Sequence, residues 1–182
     1  DLTITGTTPA TVAELIAINA ATSGAVSLNA QTIAAAYTDT AANLISAFTG
    51  ITSHTGGLTV SDTGDVSAAD LATVSTLTSG TTTAIATSLI TGSAAEIVSS
   101  IGAVSFNPNV PLTITGANVA TIADLKTINA ATSGTVILNA ATIAADLNGT
   151  ALDLAAAFDG INTSTGDLTI TGTTPATVAE LI

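Results

Sequence analysis

The chain opens with a short run in which apolar and polar residues alternate, LTITG from Leu2, and a run with helical spacing follows it. This alternation of apolar and polar residues, several of them β-branched, predicts a strand. A helix is then predicted, with Thr8 as its N-cap residue and Pro9 at the first helical position. Its apolar face has the spacing i, i+3 and i+4 and comprises Val12, Leu15 and Ile16. Ser23 and Gly24 are expected to end this helix.

The same order of elements, a strand followed by a helix, then occurs a second time. A second strand is predicted over Ala25–Leu28, and a connector that carries Ile33 follows it. A second helix is predicted to begin near Thr40, with counterparts near Ser93 and Thr150. One unit is therefore strand–helix–strand–helix. We expect the inward strand residues to pack on the helices and form the core: Leu2, Ile4, Val26 and Leu28.

The unit repeats along the whole chain. LTITG returns at Leu112 and Leu168, and the related LTVSD begins at Leu58, so the unit recurs roughly every 55 residues. We therefore predict one continuous unit over 1–182, with repeats 1–56, 57–110 and 111–166. Residues 167–182 are identical to 1–16 and are expected to start a further 166-residue block of a long tandem array.

The spacing of the elements also predicts the fold class. Strands that alternate with helices are typical of parallel sheets joined by crossover helices. We predict an α/β repeat solenoid of stacked strand–helix coils with a parallel sheet, the coils being roughly 24 and 32 residues long. A right-handed parallel β-helix is the alternative fold. No coil can bury its apolar face alone, so stability is expected to come from neighbouring coils.

Composition excludes several classes of function. Lys and Arg together number one, Asp and Glu number 13, and the formal charge is -12. Such a chain cannot neutralise many phosphates, so neither nucleic acid nor an anionic membrane surface is an expected partner. No apolar run reaches eighteen residues, so membrane insertion is not expected. The chain lacks Cys and has one His, so we expect no enzyme, no catalytic residues and no cofactor.

Two pairs of asparagines occupy equivalent repeat positions. Asn19 corresponds to Asn129, and Asn29 corresponds to Asn139. Asn side chains stacked along a solenoid can bond along its axis, so we predict a structural ladder at these positions. The ladder is expected to be interrupted in the middle copy, where Ser75 and Ile85 stand near these places.

Three further features could carry chemistry. Asp62 and Asp65 flank a turn and are a weak candidate for a calcium site, but a turn followed by a helix N-terminus is the preferred explanation. His54 lies in a polar turn without a second His, so a surface position is expected. Thr-x-Thr pairs such as Thr3 and Thr5 could form an ice-binding face, but strand propensity on a solvent face is the preferred explanation.

Two stretches carry a resemblance to a known class of proteins. ADLKTINAATSGTVIL (Ala123–Leu138) and TDTAANLISAF (Thr38–Phe48) resemble segments of very large Thr/Ala-rich repetitive bacterial surface proteins, with cyanobacterial examples among the most similar. The resemblance implies a secreted, cell-surface or fibre-forming protein.

The predicted function is structural. We expect a repeat segment of a giant extracellular protein that forms a filament, rod or surface layer by self-assembly, with copies or neighbouring repeats of the same chain as its partners. The alternative is an adhesin stalk or a module that binds glycan or ice at the cell surface.

Overall fold

The structure, a computed structural model, describes residues 1–172. This part of the chain contains short strands: β1 (Leu2–Thr3), β2 (Val26–Ser27), β3 (Tyr37–Asp39), β4 (Leu58–Val60), β5 (Asp65–Ser67), β6 (Thr82–Ala84), β7 (Leu89–Gly92), β8 (Ser105–Phe106), β9 (Leu112–Ile114), β10 (Val136–Ile137), β11 (Leu147–Gly149) and β12 (Leu168–Ile170). Its helices are α1 (Val12–Ala20), α2 (Ala30–Ala34), α3 (Ala41–Phe48), α4 (Ala68–Thr76), α5 (Ala94–Ala103), α6 (Ile122–Ala131), α7 (Ala140–Ala144) and α8 (Ala151–Phe158).

All strand pairs in these residues are parallel, which confirms the predicted mixture of helices and parallel sheets. Two sheets have four strands, in the orders β3-β4-β6-β8 and β5-β7-β9-β10, and β1-β2 and β11-β12 form two-stranded sheets. The helices of eight or more residues pack in chain order: α1 on α3, then α4, α5, α6 and α8. The helix layer therefore covers the sheets along the chain.

The strand register advances by nearly constant steps. Tyr37 pairs with Leu58, and Leu58 pairs with Thr82, so each step is about 21–24 residues. Every other registered pair falls within the same limits, so the predicted longer coil is wrong. The predicted connector between the second strand and the second helix instead contains a short helix and a third strand, as in α2 and β3.

The first helix begins later than the sequence pattern suggests. Its N-cap residue is Thr11, not Thr8, and Pro9 precedes the helix. The Thr11 hydroxyl accepts from the backbone N–H of Glu14 at 3.2 Å, and the Glu14 carboxylate accepts from the Thr11 N–H at 2.8 Å. This reciprocal pair satisfies two backbone donors, whereas Thr8 has no acidic residue three positions later. The bond from the Thr11 N–H lowers the pKa of Glu14.

The repeated leucine of the LTI strands is buried only where strands flank it on both sides. Leu58 and Leu112 are 0% exposed, in β4 and β9, which have a partner on each side. Leu2 is 40% exposed, which contradicts its predicted core position, because β1 is paired only with β2 among the described residues. Burial in this fold is therefore supplied by the neighbouring segment.

Candidate functional site

Asn19 and Asn129 each bind the end of a neighbouring helix. The Asn19 amide donates to the carbonyls of Ser46 and Thr49, both at 3.0 Å, at the C-terminal end of α3. Asn129 donates to the corresponding carbonyls of α8 at 3.1 and 2.9 Å. The last carbonyls of a helix have no partner within it, so these amides satisfy groups that the helix leaves open.

Asn29 and Asn139 bridge two segments in a different way. The Asn29 Oδ1 accepts from the Thr32 N–H at 2.8 Å and caps α2, while its amide donates to the carbonyls of Gly6 and Thr8 at 3.2 and 3.0 Å. Asn139 makes the same contacts in the third copy. All four asparagines thus donate to backbone carbonyls of another segment rather than to one another, and their role as a structural ladder stays a prediction.

Sequence reasoning missed a third pair of residues that connect two segments. Thr32 and Thr142 are fully buried, and their hydroxyls accept from the backbone N–H of Ala10 and Ala120 at 2.9 and 2.8 Å. The matching sequences NAQTIA (29–34) and NAATIA (139–144) contain the only visible indication of this role. Thr is needed here because Val would leave the buried amide without an acceptor.

The repeated TSG tripeptide ties its turn to the preceding segment. The Thr78 hydroxyl donates to the Gly56 carbonyl at 2.6 Å and accepts from the Gly80 N–H at 2.8 Å. Thr132 in the third copy makes the equivalent contacts at 2.6 and 2.8 Å. One hydroxyl therefore fixes both the local turn and its position on the neighbouring backbone.

Glycine is required where these backbones cross. A Cβ on Gly56 would overlap the Ala35 carbonyl oxygen. A Cβ on Gly80 would lie 2.7 Å from the Gly56 carbonyl oxygen, so three successive segments pass one another at contact distance. No side chain can be added at either position without moving the backbone.

The two candidate calcium residues, Asp62 and Asp65, have different surroundings in the structure. Asp62 accepts from the backbone N–H of Ala41 at 2.7 Å, at the first residue of α3, while Asp65 lies exposed in β5. An acidic side chain at a helix N-terminus is stabilised by the backbone N–H groups there. Residues 1–172 contain no group of three or more His, Asp or Glu side chains arranged to hold a metal ion.

His54 is buried, so its predicted surface position is wrong. It is 1% exposed and packs against the rings of Phe48 and Tyr37, with centroid distances of 4.6 and 5.5 Å. Neither ring nitrogen has a hydrogen-bond partner among the described residues. Burial lowers the pKa of His54, because the charged imidazolium is poorly solvated there. The polar neighbours in sequence gave no indication that the turn folds over two aromatic rings.

Lys126 joins two neighbouring helices. Its ammonium pairs with the carboxylate of Asp153 on α8, and both side chains remain partly exposed. The hydrogen bond from Lys126 lowers the pKa of Asp153. The single basic residue of the chain thus contacts another part of the same chain.

Two open grooves lie at equivalent positions in the first and third copies. The first, of about 480 Å³, is lined by Asn19, Thr22, Gly24 and Thr49 among others. The second, of about 470 Å³, has the corresponding lining: Asn129, Thr132, Gly134 and Asp159. Amide, hydroxyl and backbone groups predominate in both linings, and such groups can hydrogen-bond a polar ligand.

Many polar side chains among the described residues thus contact the backbone of a segment distant in sequence. Within residues 1–172, no helix combines the length and apolar character needed to cross a bilayer. No known protein family, curated protein or solved structure matches this chain.

Proposed function

We propose that the chain forms an α/β solenoid and serves as a structural repeat segment of a giant extracellular protein. The observation that carries this proposal is the register, since strands pair with strands about 21–24 residues later, as the coils of a solenoid do. In a solenoid each coil contacts only its neighbours. The burial of Leu58 and Leu112 by strands on both sides supports this interpretation.

The side-chain chemistry supports a role in assembly. The Asn, Thr and Gly residues that recur in the sequence contact the backbone of a neighbouring segment. The single His is buried between aromatic rings and the single Lys is paired with a carboxylate. The His and Lys side chains thus have packing and pairing roles here, and a filament, rod or surface layer is the assembly that stacked coils favour.

The composition supports an extracellular location. Trypsin-like proteases cleave after Lys and Arg, and the chain has one such residue. The absence of Cys means that strength must come from stacking rather than from disulfides. These properties suit a long protein that persists outside the cell.

Electron microscopy of the native material, without cutting the array, tests this proposal. A 166-residue block contains about seven register steps, and these span about 34 Å on the strand side at about 4.8 Å each. Six helices stacked at an interaxial distance of about 8–10 Å would occupy about 50–60 Å along the same axis. We expect uniform fibres with an axial period between these values. Dispersed monomers or short flexible stalks would refute the filament.

The second candidate is an adhesin stalk that presents a glycan-binding face. The two equivalent grooves favour it, because polar groups recur in the same arrangement in two copies. A glycan array probed with the labelled full chain tests it. Binding that is lost when Asn19 and Asn129 are both replaced by Ala, in a variant with an unchanged circular dichroism spectrum, would support this function, and binding to no glycan would exclude it.

A further inference from the structure

A row of hydroxyl groups crosses the outer face of the sheet β3-β4-β6-β8. The strand register places one residue from each strand side by side, in the order Thr38, Thr59, Thr83 and Ser105, and we call these four residues the hydroxyl row. The residues before and after the two central members are at most 4% exposed and face the core: Leu58, Val60, Thr82 and Ala84. Because successive side chains of a strand point to opposite faces, the hydroxyl row lies on the outer face of the sheet.

The hydroxyl row is accessible from solvent along its length. Thr38 and Ser105 are exposed, and Thr59 and Thr83, in the two central strands, are half-buried. The Thr83 hydroxyl donates to the Thr59 hydroxyl at 3.0 Å, so neighbouring members of the row bond to each other. In the proposed solenoid, further coils add strands at the edges of this sheet. They therefore lengthen the hydroxyl row and leave its outer face uncovered.

Charge distinguishes the hydroxyl row from other surfaces of the chain. Its four residues are neutral, whereas the chain has a formal net charge of -12. The sheet β5-β7-β9-β10 carries the exposed Asp65. The helix layer carries further carboxylates: Glu14, Asp70, Glu96, Asp124 and Asp153. Like charges that meet across a contact repel, so two copies meet at a lower electrostatic cost through the hydroxyl row than through these surfaces.

We propose that the hydroxyl row is a lateral contact between copies, and that its partner is the same row of a second copy of this chain. This inference rests on the proposed structural function and names the surface through which solenoids associate side by side. Threonine suits such a contact, because its methyl group packs and its hydroxyl bonds without any ion to desolvate. In a two-fold contact the same residues of both copies meet near the axis, which places Thr59 and Thr83 close to their counterparts.

The contact made by one chain is expected to be weak. A standard interface buries about 800 Å² on each partner, and four strands of two or three residues offer a smaller surface. Ile85, which directly follows β6, is 65% exposed and adds apolar area beside the row. In a long array the equivalent contacts of successive blocks act together, and their combined affinity exceeds that of one block. The hydroxyl row therefore suits the joining of long solenoids.

Opposite charges placed on the hydroxyl row test the contact in the full chain. Chains carrying Thr83→Asp are mixed with chains carrying Thr83→Lys, and sedimentation equilibrium measures the weight-average mass against protein concentration. We expect the mixture to associate about twofold to fivefold more strongly than either variant alone, as exposed ion pairs allow. The control mixture, Thr73→Asp with Thr73→Lys, places the same charges at an exposed position of α4 and is expected to show no gain.

A second control separates charge pairing from changes in shape. Thr83→Asn has nearly the shape of Thr83→Asp without its charge, so its mixture with Thr83→Lys is expected to lose the gain. Added salt is expected to reduce the gain of the charged mixture, because it screens exposed charges. Circular dichroism verifies that each variant folds.

A Thr83 mixture that gains no more than the Thr73 mixture would overturn the proposal. Uniform native fibres observed together with that result would leave the structural function standing and place the lateral contact elsewhere. Chains that stay monomeric in every mixture but reshape growing ice crystals would show that ordered water, and not a second copy, occupies the hydroxyl row.

Discussion

Replacing Leu112 by Ala tests the idea that burial comes from neighbouring segments, and Leu2→Ala is the matched control. Both leucines begin an identical LTITG sequence, but Leu112 is 0% exposed between two strands, and Leu2 is 40% exposed with one partner strand. Leu→Ala at a closed buried site costs about 2–5 kcal/mol, which includes the cavity that remains. At Leu2 the partly exposed site leaves no closed cavity, so the loss is expected to be about 1 kcal/mol.

Urea unfolding followed by far-UV circular dichroism measures both changes in the free energy of unfolding. Repeat proteins can unfold segment by segment, so amide hydrogen exchange should accompany it. We expect Leu112→Ala to lower protection in β7, β9 and β10, and Leu2→Ala to affect β1 and β2 alone. Equal destabilisation by the two substitutions would refute the argument, because it would mean that the flanking strands do not determine burial.

Three further substitutions test particular contacts. His54→Phe is expected to raise the melting temperature and to reduce its dependence on pH. Burial lowers the pKa of His54 in the folded state, so the native protein loses stability as the pH falls below the unfolded pKa of about 6.5. An equally steep fall of the melting temperature with decreasing pH in the variant would contradict this. Thr142→Val should lower the free energy of unfolding in urea by about 1–3 kcal/mol, because the buried N–H of Ala120 loses its acceptor. The control Thr127→Val, at an exposed position, should lower it by less than about 0.5 kcal/mol. Equal losses would argue against a stabilising role of the hydrogen bond between Thr142 and Ala120. Gly56→Ala should destabilise the protein by about 1–3 kcal/mol, because the added Cβ would overlap the backbone of Ala35. The control Gly102→Ala, at an open position of α5, should stabilise it by about 0.5–1 kcal/mol. Melting temperatures that shift in the same direction in both variants would refute the close approach of the two backbones at Gly56.

Part of the fold could be predicted because it depends on residues close in sequence. Thr40, Ser93 and Thr150 are N-cap residues, as predicted, since each supplies a hydroxyl to a backbone N–H three positions later. The N-cap at Thr8 failed because Thr11, with Glu14, forms a reciprocal pair that Thr8 lacks. The third strand of the first and third copies was missed because segments such as Tyr37–Asp39 are too short to show a period of two.

The sequence by itself determined the repeat, the helix starts at these caps and the combination of helices with parallel strands, because spacing and capping act within a few residues. Only the tertiary structure decided which chemically identical residues are buried. Leu2 and Leu112 have the same local sequence, and they differ in exposure because strands from neighbouring segments flank one on a single side and the other on both sides. The burial of His54 and the backbone partners of Asn19 and Asn29 likewise depend on segments that lie distant in sequence and adjacent in space.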